Sequence, residues 1–206
     1  MFAQFRPSSP RDGEEVSIHP ATLAFRSPRL EVRFRRAYFE SNLSIGRACH
    51  LIAIFFFAVV GMWNALVVAP GSLTPWIITI GCVSTHFLLG LAASYFAKDL
   101  YARFWQPLFA SYVLTTGSSF TVISALTGPE LSTLNFVGII FCLVFCYTFI
   151  RLTFIWAVVA GNLIVAIYTI AEGLFFAPPL RPFLTAVFYM YGVHPVSYTH
   201  LTLPTK

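Results

Sequence analysis

Charged side chains are scarce in this chain: they make up 10% of 206 residues, while 57% are hydrophobic, and the mean hydropathy is +0.75. A water-soluble domain is about one quarter charged and about half apolar. So little charge leaves too few polar groups to cover a surface in water, and lipid is the expected solvent for most of the chain. Cysteine is also sparse. Cys49, Cys82, Cys142 and Cys146 all fall within or beside apolar runs, which argues against a disulfide framework. The opening stretch, Met1 to Ala24, has three prolines, mixed charge and no apolar core, so it reads as disordered and not as a cleavable signal peptide. There is no phosphate-binding glycine loop, paired-carboxylate site, HExxH helix or Ser/His/Asp set, so no catalytic residue, metal site or cofactor is expected in this piece of chain.

The charge that is present is concentrated. Arg26, Arg29, Arg33, Arg35, Arg36 and Arg47 precede the first long apolar run, as in a juxtamembrane segment facing an anionic leaflet. A nucleic-acid partner is not expected, because the cluster abuts a span and has no DNA-binding pattern. Ser27-Pro28 marks a helix start. Leu30, Phe34, Ala37, Tyr38 and Ile45 then share one face, and Glu31–Arg35 and Arg36–Glu40 have ion-pair spacing. Residues 25–47 are read as an amphipathic interfacial helix leading into the bilayer.

Crossing the hydrocarbon takes roughly 20 residues of helix. Candidate spans are Ala48–Ala69, Trp76–Ala97, Pro107–Leu126, Leu134–Ile150 and Phe154–Leu174, with an incomplete sixth over 183–194. The expected fold is therefore all-α, a polytopic transmembrane bundle of five full spans and a truncated sixth. Lys98–Arg103 forms a basic loop, and Glu172 with Arg181 a mixed one. The alternation of basic and neutral loops puts the N-terminus in the cytoplasm and the protein in the inner (plasma) membrane. Residues 195–206 are polar, carry two prolines and read as a non-native tail.

Intramembrane polar groups are the candidates for function. His86 lies mid-span and could hold haem, a metal or a proton, but a lone histidine is better explained by helix packing. His50, nearer the cytoplasmic end of its own span, is expected to lie apart from it. Cys142 and Cys146, one turn apart, could bind a soft metal or sense redox state, although small apolar filler is the simpler role. Thr115, Thr116, Ser118, Ser119, Thr121 and Ser124 make the third span polar, either by bonding within the bundle or by lining a cavity. Small residues at four-residue spacing (Gly61/Ala65, Gly90/Ser94, Ala157/Gly161) suit close helix approach in a bundle or a dimer. Trp63, Trp76, Tyr101, Trp105 and Tyr147 are placed at the interfaces.

The stretch before the first span carries Phe25, Leu30, Glu31, Phe34, Arg35 and Tyr38 in the pattern F-x-x-x-x-L-E-x-x-F-R-x-x-Y. It resembles the lead-in to the six-span membrane region of bacterial class III adenylate/guanylate cyclases. Tyr147, Arg151 and Phe154, with Tyr168 further on, are similar to that region's fourth-to-fifth-span junction. The resemblance implies a membrane anchor or sensor, homodimeric through its helices, joined to a cytoplasmic domain that makes a cyclic nucleotide. A diguanylate cyclase or a histidine kinase output remains open. A small polytopic transporter or channel is the alternative, and a membrane-embedded enzyme subunit is a third possibility.

Overall fold

The computed structural model describes Ser17, His19 and residues 24–68, 70–127, 137–144, 152–175, 181 and 183–192. Apart from Ser17, His19 and Ala24, the expected disordered segment lies outside the described residues, as does the tail 195–206. Among the described residues all extended regular structure is helical. The elements are α1 Pro28–Trp63, α2 Thr74–Phe96, α3 Lys98–Thr127, α4 at 137–144, α5 Phe154–Phe175 and α6 Phe183–Gly192. Four of them, counted with the π-wound turn that extends α1 to Val67, are long and apolar enough to cross a membrane: Pro28–Val67, Thr74–Phe96, Lys98–Leu126 and Phe154–Phe175. The fourth expected span is described only over 137–144, and α6 is a shorter apolar helix.

The chain divides into two compact units, Met1–Ser41 and Asn42–Lys206. In the first, α1 begins at Pro28, and the Glu31 N–H donates to the Ser27 carbonyl. Glu31 reaches back to accept from the Phe25 N–H at 3.0 Å and forward to Arg35 Nε at 2.6 Å. Arg36 pairs with Glu40 at 3.1 Å. Such exposed pairs contribute at most about 0.5 kcal/mol each. The backbone bond at the chain's turn into the helix fixes the start more firmly than the ion pairs do.

In the second unit, α2 is wound as a π-helix over Ile77–Ser84. Its hydroxyls follow that winding. Thr79 Oγ1 donates to the Pro75 carbonyl, but Ser84 and Thr85 donate five residues back, to Thr79 and Ile80. Each widened turn shifts the azimuth of every later residue, here including His86, Phe87 and Gly90. Ala97 alone, at φ −131 and ψ 53, separates α2 from α3.

The basic loop expected at Lys98–Arg103 is instead the first turns of α3, and Pro107, expected to open the third span, lies inside the helix. Asp99 favours the helix N-terminus electrostatically, and Tyr101 and Trp105 are buried, so packing extends the helix past the apolar run. Glu172, expected in the fifth loop, is likewise buried within α5.

Helix α5 buries Ala157, Ala160, Gly161, Ile164, Val165, Tyr168 and Glu172. Gly117 of α3 admits Ile164, because a Cβ there would lie 2.8 Å from Ile164 Cδ1. The Thr153 N–H before α5 donates to Gln106 Oε1 on α3 at 2.8 Å. The outer faces are apolar, with Phe55 72% and Phe96 91% exposed.

Gly117→Leu is expected to lower stability in detergent by about 1–3 kcal/mol through overpacking. Ile164→Ala in that background should restore part of the loss, and thermal melts of the two variants measure both.

Candidate functional site

The interior of α1, α2 and α3 is built around two histidines and one tyrosine. His50 and Tyr112 are each fully buried. His50 Nδ1 lies 2.6 Å from the Gly46 carbonyl oxygen. A carbonyl can only accept, so Nδ1 carries the proton and donates along its own helix. In the neutral ring Nε2 is then an acceptor, and Tyr112 O–H donates to it at 2.9 Å.

This hydrogen bond depends on Gly90. A Cβ at that position would overlap the Tyr112 hydroxyl and lie 2.9 Å from His50 Nε2. Glycine here is a gap in α2 through which α3 reaches α1.

His86 makes an edge-type contact with the same tyrosine, with ring centroids 4.6 Å apart. The Ser111 hydroxyl donates to the Leu108 carbonyl at 2.6 Å, so its oxygen is left to accept from His86 Nε2–H at 3.2 Å. Nδ1 is then the acceptor for the Thr115 hydroxyl, also at 3.2 Å. Phe87 stacks on Tyr112 at 4.3 Å, and Phe109 meets His50 edge-on at 5.1 Å.

The expectation that His50 and His86 lie apart is therefore corrected: both touch Tyr112. The reason is register. Gly61 packs on Ile80, His50 on Gly90 and Arg47 on Ser94, one antiparallel alignment of α1 with α2. It leaves the two histidines offset by roughly 7 Å along the axis at about 1.5 Å per residue, a gap that a tyrosine side chain spans. Of the aromatics expected at the interfaces, Tyr101 and Trp105 pack inward. Both are buried, and the Tyr101 hydroxyl reaches Gly46. Trp63 and Trp76 are exposed.

Arg47 turns inward to α2. Its Nε donates to Ser94 Oγ at 3.2 Å, a second nitrogen donates to the Ser94 carbonyl, and the guanidinium lies 3.8 Å over the Tyr95 ring. Arg29, Arg33, Arg35 and Arg36 are exposed. Of the pattern before the first span, Phe34 stacks on Tyr38 and meets Phe25 edge-on, each at 5.5 Å, beside the Phe25–Glu31–Arg35 bonds, and Leu30 is half-buried.

Thr116 is buried, whereas Ser119 and Thr121 donate to carbonyls of their own helix. Cys142 is half-buried on α4 without a disulfide. Cys146, Tyr147 and Arg151 lie outside the described residues. Phe154 opens α5, and Tyr168 is buried in it. Among the described residues no three His, Cys, Asp or Glu side chains converge as a metal site would require.

Sequence reasoning missed Tyr112 and Glu172. Tyr112, one aromatic among many in the spans, gave no signal of its own, but Glu172 within an apolar run was a visible one. Compared with known proteins, the chain matches no family model, no curated protein and no solved structure.

Tyr112→Phe leaves His50 Nε2 buried without a donor and is expected to cost about 1–3 kcal/mol. Gly90→Ala should cost at least as much, because the ring it displaces is stacked on Phe87 and hydrogen-bonded to His50. An unchanged melting temperature for Tyr112→Phe would mean that the hydrogen bond contributes nothing net.

Proposed function

We propose that this chain is the membrane anchor and sensor module of a signalling protein, held as a homodimer in the inner (plasma) membrane with its N-terminus in the cytoplasm. Its output is a cytoplasmic nucleotide cyclase domain beyond this piece of chain. The supporting observation is that the resembling residues Phe25, Glu31, Phe34, Arg35 and Tyr38 form one interlocked unit at the start of the helix that also carries His50. A basic helical lead-in and an intramembrane polar cluster on one element give a stimulus in the membrane a covalent route toward the inner leaflet. Residues 25–47 act there as the amphipathic interfacial segment, and the full protein has six spans. The stimulus acts by favouring one helix arrangement over another, which requires different affinities for the two.

The pairing of His50 and His86 on Tyr112 favours a second reading, a small transporter, since ionisable groups within spans often mark ion paths. Both histidines have hydrogen-bond partners on adjoining helices, an arrangement that suits packing at least as well.

On the signalling reading, the open reading frame continues into a soluble cyclase domain, and its product forms cyclic AMP or GMP from the triphosphate. A stop codon soon after the sixth span would sink it. Solute flux into reconstituted vesicles, lost in His86→Ala, would select the transporter instead. Protease added to intact cells should leave the first forty residues uncut, as a cytoplasmic N-terminus requires.

A further inference from the structure

Asn162 is the polar side chain that the fold leaves on the outside of α5. It lies eight residues after Phe154 and thirteen before Phe175, near the middle of the helix. It is exposed, and Nδ2 donates once, at 2.8 Å, to the Val158 carbonyl of its own helix. A carboxamide has two N–H groups and an oxygen with two lone pairs. The second N–H and Oδ1 meet no partner among the described residues. In hydrocarbon each such group is costly, and polar residues at mid-span characteristically bond across to another helix.

The residues around it form a seam. Ile155, Val159, Asn162, Ala166, Thr169 and Gly173 alternate four and three apart, the spacing that keeps one face toward a partner helix. This face is turned about 140° from the centre of the stripe that α5 buries, and Ala166 and Thr169 on it are half-buried. Ile155, Val159, Asn162 and Gly173 are exposed, and a Cβ at Gly173 would meet nothing within 4 Å. Half of these residues, Ala166, Thr169 and Gly173, are small, so a second backbone can come close along that half of the seam.

We propose that α5 packs in parallel against α5 of a second copy of this chain, with Asn162 hydrogen-bonded to Asn162 across the two-fold axis. A carboxamide is its own complement, donor to acceptor in both directions. Copies inserted with the same orientation bring position 162 opposite itself when the axis runs along the membrane normal. A polar group at one seam position also fixes register, because any slip leaves both amides unpaired. This contact deepens the homodimer in the proposed function. It rests on that reading only for the placement of α5 in a bilayer, and it is independent of the output domain.

The test is photobleaching-step counting of the labelled full chain in phosphatidylcholine vesicles over a dilution series of protein to lipid. Wild type is expected to pass from two steps to one on dilution. Asn162→Leu should move that midpoint to about tenfold higher protein density. It should melt no lower than wild type in dilute detergent, where a leucine suits the apolar exterior. Ala166→Leu, also on the seam, should shift the midpoint in the same direction, while Ile167→Ala, exposed but off the seam, should not. A wild-type chain that is monomeric throughout, or seam variants that pair as wild type does, would overturn the proposal. Seam-dependent dimers from a gene with no cyclase domain would remove the output reading and leave this one standing.

Discussion

The exterior of the long helices offers almost nothing to hydrogen-bond with, and the interior has to answer for every polar group. Phe55, Phe56, Leu88, Leu89 and Phe96 face outward, whereas His50, Thr79, Ser84, Ser94, Thr116, Thr121, Ser124 and Glu172 are buried. An unpaired donor or acceptor in such surroundings costs more than a typical made bond contributes. Most of the hydroxyls resolve this locally, while Ser124 Oγ and the Gln106 amide nitrogen are buried without a hydrogen-bond partner among the described residues. Thr79, Ser119, Thr121 and Thr169 donate to carbonyls four residues back, a bond that each helix supplies without help from its neighbours. The histidines cannot do so with both ring nitrogens. They therefore require second helices, and the positions of α1, α2 and α3 follow from that requirement.

What the sequence made legible was whatever depends on spacing along one helix. The apolar runs, the start at Pro28 and the ion pairs of Glu31 with Arg35 and Arg36 with Glu40 are all set within a few residues. Contacts between helices were not legible, because register depends on where a gap falls. Gly90 is a single missing Cβ, yet it decides that Tyr112 reaches His50. The small pair Gly90/Ser94 could be read as suited to close approach. That it receives a tyrosine hydroxyl at one position and an arginine at the other could not. Hydropathy likewise marks apolar chain from Pro107 and not the helix start at Lys98, since it cannot see that Tyr101 and Trp105 are held inward by packing.

The pattern of residues 25–38 before the first span has a physical content of its own. Glu31 ties the backbone before the helix to Arg35 one turn on, and three aromatic rings cover that corner. Those contacts gather at the start of a helix in a basic segment, and they account for how α1 is launched without reference to any other domain.

Helix α3 is where the interior contacts meet. Tyr112 on it closes the bond to His50 of α1 through Gly90 of α2, and Gly117, five residues later, receives Ile164 of α5. Five residues of helix are about 7.5 Å of stiff backbone. A displacement of α3 that lengthens the Tyr112–His50 bond also bears on the Gly117–Ile164 approach unless α5 moves with it, because Ile164 already fills the space a Cβ would need. A close-packed contact of this kind responds to a shift by changing arrangement more readily than by stretching. The outer seam of α5, with Asn162 at its centre, lies across that helix from Ile164. The histidine cluster and the proposed dimer contact are therefore joined by one helix and one glycine-to-isoleucine contact.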